Sequence, residues 1–405
     1  MIREFTIENF KSIESLTLPL GRVTVLIGEN GAGKSNVLEA MAFFIAALQR
    51  KADHEFLFSR GVRDCRDTEV ISAFSARSKK SFHIAAHSGK REGACNLNFE
   101  LTKDGSFYEW SLSNGPISYD PNNKAWKVRL NVGELAKIEK AAKKLQMEGP
   151  ANSSNSLDDS IVAAFLPQFA EASRKFRGIL SRGLRTTDSP FVIFSPENTA
   201  LRTFESEGQM RPLGVRGEGL FKLVQQFAEH QPAKFKLLRH ELKLFDWFED
   251  FAIPKRLGIG ESRLEIKDRF LAAKRLLDQR SANEGFLFLL FYLCLFLSPQ
   301  TPKFFAIDNI DASLNPKLCA EMMRRLVALA KQEDKQVVIT THNPAILDGL
   351  DLTDKEQMLY AIQRNEKGRT IAQRIPAPKP QPGEPALKLS HAYLRGLLGG
   401  VPKNF

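Results

Sequence analysis

The stretch GENGAGKS at residues 28–35 decides the fold of this 405-residue chain. It fits the pattern GxxxxGK[ST] at every fixed position, follows the apolar run Val23–Ile27, and opens a helical pattern at about Lys34. Glycines in such a loop let backbone N–H groups curl around phosphate oxygens, and the following helix N-terminus adds a favourable dipole. We therefore expect this phosphate loop to bind ATP through Asn30, Gly31, Ala32, Gly33, Lys34 and Ser35.

A second apolar run ends in an acid, as a magnesium site next to a phosphate loop requires. Lys303–Asp308 reads KFFAID and predicts a buried strand with Asp308 at its carboxyl end. Because such sites hold Mg²⁺ with a loop hydroxyl and a strand-end acid, Ser35 and Asp308 are the predicted metal ligands. The alternative is an ordinary strand followed by a turn.

A histidine follows the next apolar run, at a position where α/β proteins bind ligands. The strand pattern QVVIT leads into His342, which is predicted to bind a γ-phosphate or the attacking water. Asn283-Glu284-Gly285 precedes the apolar helix pattern Glu284–Leu297, and a helix N-terminus of this kind could bind phosphate across a subunit interface. The alternative for His342 is a structural role, and for Asn283 an ordinary helix cap.

The composition predicts a cytoplasmic protein without a membrane partner. Four scattered cysteines show no metal spacing, and residues 1–19 lack the apolar core of a signal peptide. The longest apolar run, Gly285–Leu297, is too short to span a bilayer and indicates a buried core helix. The net charge of +11 and the pI of about 9.4 favour a polyanionic partner such as nucleic acid.

The chain divides into four predicted parts. Residues 1–125 form an N-terminal ATPase lobe with an antiparallel portion, in which Lys103-Asp104-Gly105 signals a hairpin turn. Residues 126–275 form a mainly helical basic insert with helices at Gly133–Gln146 and Leu157–Leu184 and a strand at Phe191–Phe194. Residues 276–376 form a C-terminal ATPase lobe, and 377–405 a Pro-rich linker with a terminal helix.

The order of these motifs resembles the RecF, SMC and OLD group of ABC-type ATPases. The resemblance covers residues 1–45 and roughly 280–350. It implies an α/β ABC-type P-loop ATPase head with a mixed sheet, an antiparallel lobe and a helical insert, which dimerises head to tail around two ATPs. It also implies roles for Asp308 as the Walker B acid, Asp311 as the D-loop, His342 as the switch histidine, and Asn283 and Gly285 as a degenerate signature loop.

Asn309 departs from this family pattern, because the residue after the Walker B acid is ordinarily the catalytic Glu. An amide cannot accept the proton of the attacking water, so Asn309 can position water but cannot act as general base. Either hydrolysis is slow and ATP acts as a clamp, or Asp311 or His342 supplies the missing function. The candidate catalytic residues are therefore Asn309, Asp311 and His342, and ATPase activity is left open.

The resemblance also bears on partners. The chain lacks the long heptad runs of SMC proteins, and the residues after 350 lack the acidic cluster of the nuclease domain in OLD proteins. It is similar in these respects to the stand-alone ATPases of Septu- and PARIS-like antiphage systems. This similarity implies a homo-oligomer that senses a trigger and controls a separately encoded effector, most simply a nuclease.

Two other functions compete with control of an effector. A RecF-like DNA-repair ATPase would itself bind DNA, and a transporter ATPase would need a better signature loop than this one. DNA is thus a further candidate partner, and its predicted contacts are basic residues that could equally form a solvated helix face: Arg174, Lys175, Arg177, Arg182, Lys234, Lys236 and Arg239.

Overall fold

The computed structural model describes most of the two predicted ATPase lobes. The described residues are 1–48, 54–64, 67–72, 74, 81–87, 95–101, 108–112, 117–120, 125–128, 191–204, 212–254, 261–272, 275–311, 314–378 and 388–398. Three predictions lie outside them: the helices at Gly133–Gln146 and Leu157–Leu184 and the turn at Lys103-Asp104-Gly105.

A six-stranded sheet carries the predicted motifs. Its strands, in chain order, are β3 (Val23–Ile27), β9 (Ile193–Phe194), β12 (Phe304–Ile307), β13 (Gln336–Thr341), β14 (Gln357–Arg364) and β15 (Thr370–Ile375). The spatial order is β15-β14-β3-β13-β12-β9, and every neighbouring pair is parallel except β14 with β15. The continuous apolar sequences of β3 and β12 suit this sheet, since both strands are buried along their whole length.

A seven-stranded antiparallel sheet confirms the predicted antiparallel lobe. Its strands are β1 (Glu4–Phe10), β2 (Ile13–Pro19), β4 (Ser81–His87), β5 (Cys95–Leu101), β6 (Tyr108–Leu112), β7 (Ile117–Asp120) and β8 (Ala125–Val128). They are arranged in the order β2-β1-β4-β5-β6-β7-β8. A separate antiparallel pair is formed by β10 (Phe248–Ala252) and β11 (Glu265–Asp268).

Helices contribute to both of the hydrophobic cores that flank the six-stranded sheet. They are α1 (Lys34–Leu48), α2 (His54–Phe58), α3 (Asp67–Val70), α4 (Asn198–Thr203), α5 (Leu220–His230), α6 (Pro232–Glu241), α7 (Glu284–Leu297), α8 (Pro316–Gln332) and α9 (Leu389–Leu394). Two 3₁₀-helices lie at Leu242–Leu244 and Pro344–Gly349. Successive side chains of a central strand point to opposite faces of the sheet. Val25 therefore lies in the core that contains α7, and Leu26 lies in the core that contains α1.

Helix α7 is the core helix that the sequence predicts. Every residue from Gly285 to Leu297 is buried, as expected for a helix that is apolar all round. Within the part of the chain that the structure describes, no helix is both long and apolar enough to cross a membrane.

The predicted division at residues 126–275 remains a prediction, and the structure adds one fact to it. Ile193–Phe194, inside this range, forms β9 and pairs with β12 at the edge of the six-stranded sheet. The predicted terminal helix is present as α9. It lies against the second 3₁₀-helix, where the backbone N–H and the hydroxyl of Ser390 donate to Asp348 at 2.9 and 2.7 Å.

Candidate functional site

The carboxyl ends of β3, β12 and β13 meet at one edge of the sheet. Ile27 is opposite Thr341, and Ile307 is opposite Ile339. The residues that follow these three strands are therefore neighbours, at the edge where α/β sheets bind ligands. The structure thus brings together the phosphate loop, Asp308 and His342, as the sequence predicts.

The phosphate loop can take its conformation only with glycine at specific positions. Gly33 has φ +107, and a Cβ there would lie 2.2 Å from the hydroxyl oxygen of Thr370. A Cβ at Gly28 would lie 2.1 Å from the carbonyl oxygen of Ile362. The backbone of the loop is thus packed tightly on the β14–β15 hairpin, while its other side, at Asn30 and Gly31, is exposed. This shape fits a loop that presents backbone N–H groups to phosphate oxygens.

Lys34 is buried at the centre of the site. Its ammonium donates to the carbonyl oxygens of Gly28 at 2.8 Å and Glu29 at 3.0 Å. Burial lowers the pKa of Lys34 to about 8, although the nearby carboxylates of Asp308 and Asp311 oppose the shift. A bound phosphate would favour the charged form of this lysine and take over its hydrogen bonds.

Ser35 and Asp308 face each other across the site. The Ser35 hydroxyl donates to Asp308 Oδ2 at 3.0 Å, and Asp308 Oδ1 accepts from the Thr340 hydroxyl. A hydroxyl and a carboxylate oxygen are hard ligands of the kind that Mg²⁺ prefers. Among the described residues there is no cluster of three or more His, Cys, Asp and Glu side chains suited to a metal. The pair therefore fits an ion that takes its remaining ligands from phosphate and water.

His342 lies beside Lys34, the lysine that is predicted to bind phosphate. Its Nδ1 is 3.3 Å from Lys34 Nζ, and its ring is exposed. Burial of part of the ring, reinforced by the charge of Lys34, lowers the pKa of His342. The charge of Asp311 and a hydrogen bond between the ring and the backbone of Gly28 oppose this shift. The ring is thus held beside the phosphate loop at the position where the sequence predicts contact with a γ-phosphate or a water.

Asn309 and Asp311 follow β12 and have different surroundings. Asn309 is exposed and has φ +55, a left-handed conformation that asparagine tolerates better than most residues. Asp311 Oδ1 accepts from the Thr341 hydroxyl at 2.5 Å and from the backbone N–H of His342 at 3.4 Å. Asp311 therefore ties the segment after β12 to the strand end that carries His342.

Asn283 and Gly285 are placed at the N-terminus of α7. The exposed Asn283 caps this helix, since its side-chain oxygen accepts from the backbone N–H of Gly285 at 2.9 Å. Among the described residues, neither Asn283 nor Gly285 is hydrogen-bonded to the phosphate loop, Asp308 or His342. The capping alternative is thus realised within one chain, and the role across a subunit interface remains a prediction.

Several polar residues that support the phosphate loop are not among the residues predicted from the sequence. Arg364 Nε donates to the carbonyl of Gly31 at 2.9 Å, and the Thr370 hydroxyl donates to the carbonyl of Ala32 at 2.8 Å. Ser12 lies 2.7 Å from the Thr370 hydroxyl. Arg364 and Thr370 are more than 330 residues from the loop in sequence, so no local pattern could reveal these contacts.

Two members of the basic set that the sequence proposes for DNA contact have acidic partners within the chain. Lys234 donates to Glu333 at 2.7 Å and to the carbonyl of Leu297, and Arg239 forms an ion pair with Asp250. Both pairs keep part of their surface in solvent, so contact of these two cations with DNA remains a prediction. Lys236 is exposed, while Arg174, Lys175, Arg177 and Arg182 lie outside the described residues.

Comparison with known families supports the ATPase fold. Residues 98–348, more than half of the chain, match the family described as "AAA domain, putative AbiEii toxin, Type IV TA system". Residues 1–159 match the AAA ATPase domain. Matches to these families imply nucleotide binding.

Individual relatives match over short stretches or at low identity. An OLD nuclease of Thermus scotoductus is 42% identical over 41 residues, 10% of this chain and 8% of that protein. An uncharacterised protein of Methanocaldococcus jannaschii is 44% identical over 48 residues, 12% of this chain and 22% of that protein. The crystal structure of an SMC head bound to the C-terminal winged-helix domain of ScpA has a TM-score of 0.52 at 13% identity, covering 93% of this chain and 98% of that one. This last likeness confirms the predicted ABC-type head fold.

Proposed function

Because the chain belongs to the AAA-domain family that its residues 98–348 match, we propose that it is an ATP-operated switch for a separately encoded effector. ATP and Mg²⁺ bind at the phosphate loop, two copies associate around the nucleotide, and the associated form controls the effector in antiphage defence. The proposed effector is a nuclease.

The observation that carries the proposal is a site with its predicted phosphate and Mg²⁺ ligands but with an amide at position 309. Lys34, Ser35, Asp308 and His342 converge around one position, so the parts that hold Mg²⁺ and phosphate are together. By contrast, the residue after Asp308, where the family resemblance implies a general base, is an exposed amide, Asn309. Such a site favours holding ATP over consuming it, since general-base assistance is typically worth about 10²–10⁴-fold in rate.

Association of two copies is supported by the position of the predicted signature loop. Asn283 and Gly285 are at the N-terminus of the fourteen-residue helix α7, where the helix dipole favours an anion. Neither residue is hydrogen-bonded to the phosphate loop of its own chain. In the proposed dimer, these residues of one copy face the γ-phosphate held by the other.

The two individual relatives match this chain only over short stretches. The matched stretches span 8% of the OLD nuclease and 22% of the uncharacterised relative, so neither relative's whole activity transfers to this chain. The family description names a putative AbiEii toxin of a Type IV TA system, and an ATPase that works with a second gene product is consistent with it.

Co-purification tests the partner. The chain is expressed with its neighbouring genes and captured in the presence of Mg²⁺ and a slowly hydrolysed ATP analogue. We expect a second gene product to be retained by the wild-type chain and lost from Lys34→Ala. The surface variant Lys236→Ala is the matched control and should retain it. Capture of the chain alone under all conditions would refute the effector role.

DNA binding by the chain itself, as in a RecF-like repair ATPase, has less support. The net charge of +11 still favours a polyanion. However, Lys234 and Arg239 pair with Glu333 and Asp250, and these carboxylates compete with phosphate for two of the cations on which this hypothesis depends.

A further inference from the structure

Thr340 is a fully buried residue near the end of β13, the strand that leads to His342. Because β13 runs parallel to β12, with Ile339 opposite Ile307, Thr340 comes beside Asp308 at the site edge. Its hydroxyl donates to Asp308 Oδ1 and accepts from the backbone N–H of Asn309 at 2.9 Å. One hydroxyl thereby holds both the predicted metal ligand and the residue that follows it.

The direction of these two bonds is fixed by their partners. An ionised carboxylate only accepts and a backbone N–H only donates, so the single Thr340 proton is committed to Asp308. A valine would keep the shape of the side chain and lose both bonds. It would leave the Asn309 N–H and one carboxylate oxygen without their partner in a partly buried place.

The bond to Oδ1 determines which oxygen of Asp308 faces the site. With Oδ1 held by Thr340, Oδ2 points to the Ser35 hydroxyl, 3.0 Å away. Mg²⁺ tolerates little deviation from octahedral geometry, so an acid that is already oriented favours its binding. Without the Thr340 hydroxyl, the carboxylate can rotate away from Ser35.

The bond to the Asn309 N–H supports a left-handed backbone conformation. Asn309 has φ +55, which is costly for most residues and less so for asparagine. A conformation of this kind persists when its surroundings hold it. The Thr340 oxygen supplies such a contact at the point where the chain leaves β12.

We propose that Thr340 is a positioning residue that orients Asp308 for the metal and fixes the turn at Asn309. It acts through these two residues and does not touch the metal itself. The inference rests on the Mg²⁺–ATP site proposed above. Hydrogen-bonding partners of metal ligands typically affect metal affinity by about 10–100-fold, which sets the size of the expected effect.

The experiment measures the affinity of a fluorescent ATP analogue with Mg²⁺ and with EDTA, and compares the gain that Mg²⁺ provides. For Thr340→Val we expect the gain to fall by about tenfold or more, with little change in EDTA. Thr340→Ser restores the hydroxyl and should restore the gain. Thr24→Val is the matched control and should keep the wild-type gain. Thr24 is a fully buried threonine near the start of β3, away from the phosphate loop, and its hydroxyl accepts from the backbone N–H of Gly21 at 3.1 Å.

The outcomes separate the two proposals. A wild-type chain without any Mg²⁺-dependent gain would overturn the metal site and this inference together. A wild-type gain that Thr340→Val retains would overturn the inference alone. If Thr340→Val does not fold, amide hydrogen exchange is measured in the wild-type chain and in Thr340→Ser. The inference requires the Asn309 N–H to be protected from exchange in both. An unprotected amide in the wild-type chain would overturn the positioning role.

Discussion

Lys34 is a lysine whose charge depends on the site around it. Its ammonium is held by two carbonyls of its own loop, and burial lowers its pKa to about 8. ATP binding needs the charged form, so apparent affinity should follow the protonated fraction of the free protein. We expect affinity to weaken about tenfold between pH 7 and pH 9, as measured by titration with a fluorescent ATP analogue.

Unfolding does not explain a loss of affinity over this pH range. A lysine whose pKa falls from 10.5 in the unfolded chain to about 8 in the folded chain binds more protons when unfolded between those values. Its contribution to stability therefore rises with pH in that window. Equal ATP affinities at pH 7 and pH 9 would show that Lys34 does not lose its proton or does not contact the phosphates.

Removal of the Lys34 side chain tests the nucleotide site itself. Lys34→Ala should weaken ATP binding by at least about 100-fold, because a desolvated charge partner of the phosphates is lost. Calorimetric titration measures the effect, and circular dichroism checks the fold. Lys236→Ala, a change at an exposed lysine on α6, should bind as the wild type does. Wild-type affinity in Lys34→Ala would refute the site.

Asn309 tests the interpretation of slow turnover. Asn309→Glu should raise ATP hydrolysis by about 10²-fold, since it supplies a general base. The same change should cost about 1 kcal/mol of stability, because φ +55 suits asparagine better than glutamate. Steady-state phosphate release and thermal unfolding measure the two effects.

Asn309→Gln is the control for this change, since it imposes a similar backbone cost without a base. Equal turnover in the glutamate and glutamine variants would mean that Asn309 does not occupy the position of a missing base. In that event, Asp311 or His342 would be the remaining candidates.

The predictability of individual residues depended on whether their signal was local. The phosphate loop, Asp308 and His342 follow short apolar strands, and each motif could be found within a few residues of sequence. Thr340, Arg364 and Thr370 act through partners on other strands, so their roles depend on strand order and register. These are properties of the assembled sheet, which no local pattern encodes.

At the scale of elements, α9 is attached by a cap from outside the helix. Asp348 of the second 3₁₀-helix accepts from the backbone N–H and the hydroxyl of Ser390 in the first turn of α9. Asp348→Ala should destabilise the docked helix by about 1–2 kcal/mol, a typical value for a lost N-terminal cap. Faster amide exchange at Ala392 and Tyr393 would report it.

A neighbouring acid provides the control for this prediction. Asp351 is exposed and accepts from Thr353 in its own turn, so Asp351→Ala removes a carboxylate without releasing α9. Unchanged exchange in α9 after Asp348→Ala would show that apolar packing of Leu389 and Tyr393 is sufficient to hold it.

Elements with strong periodic or apolar patterns were predictable from sequence. The bounds of α7 follow from an uninterrupted apolar run after an asparagine cap, and those of α8 from Asn315 and Pro316 at its start. The strand β9 was predicted too, but its place beside β12 was not, because a two-residue parallel pairing leaves no mark on sequence. The internal ion pairs of α6 were likewise invisible, since Glu333 and Asp250 lie outside the helix.

At the scale of the whole molecule, the six-stranded sheet places the predicted nucleotide site at one edge. The predicted signature loop, Asn283 and Gly285, is not hydrogen-bonded to this site within one chain. The likeness to an SMC head shows the fold, and the family match shows an AAA ATPase. The proposed dimer would bring the α7 N-terminus of one copy to the phosphate loop of the other.

The most direct test of this account is the mass of the protein in solution, measured by sedimentation velocity with and without Mg²⁺ and ATP. The free chain should sediment at its monomer mass of 45.5 kDa, and saturating Mg²⁺–ATP should give twice that mass. Lys34→Ala should remain a monomer under both conditions. A wild-type chain that binds ATP tightly and still sediments at 45.5 kDa would contradict the central claim.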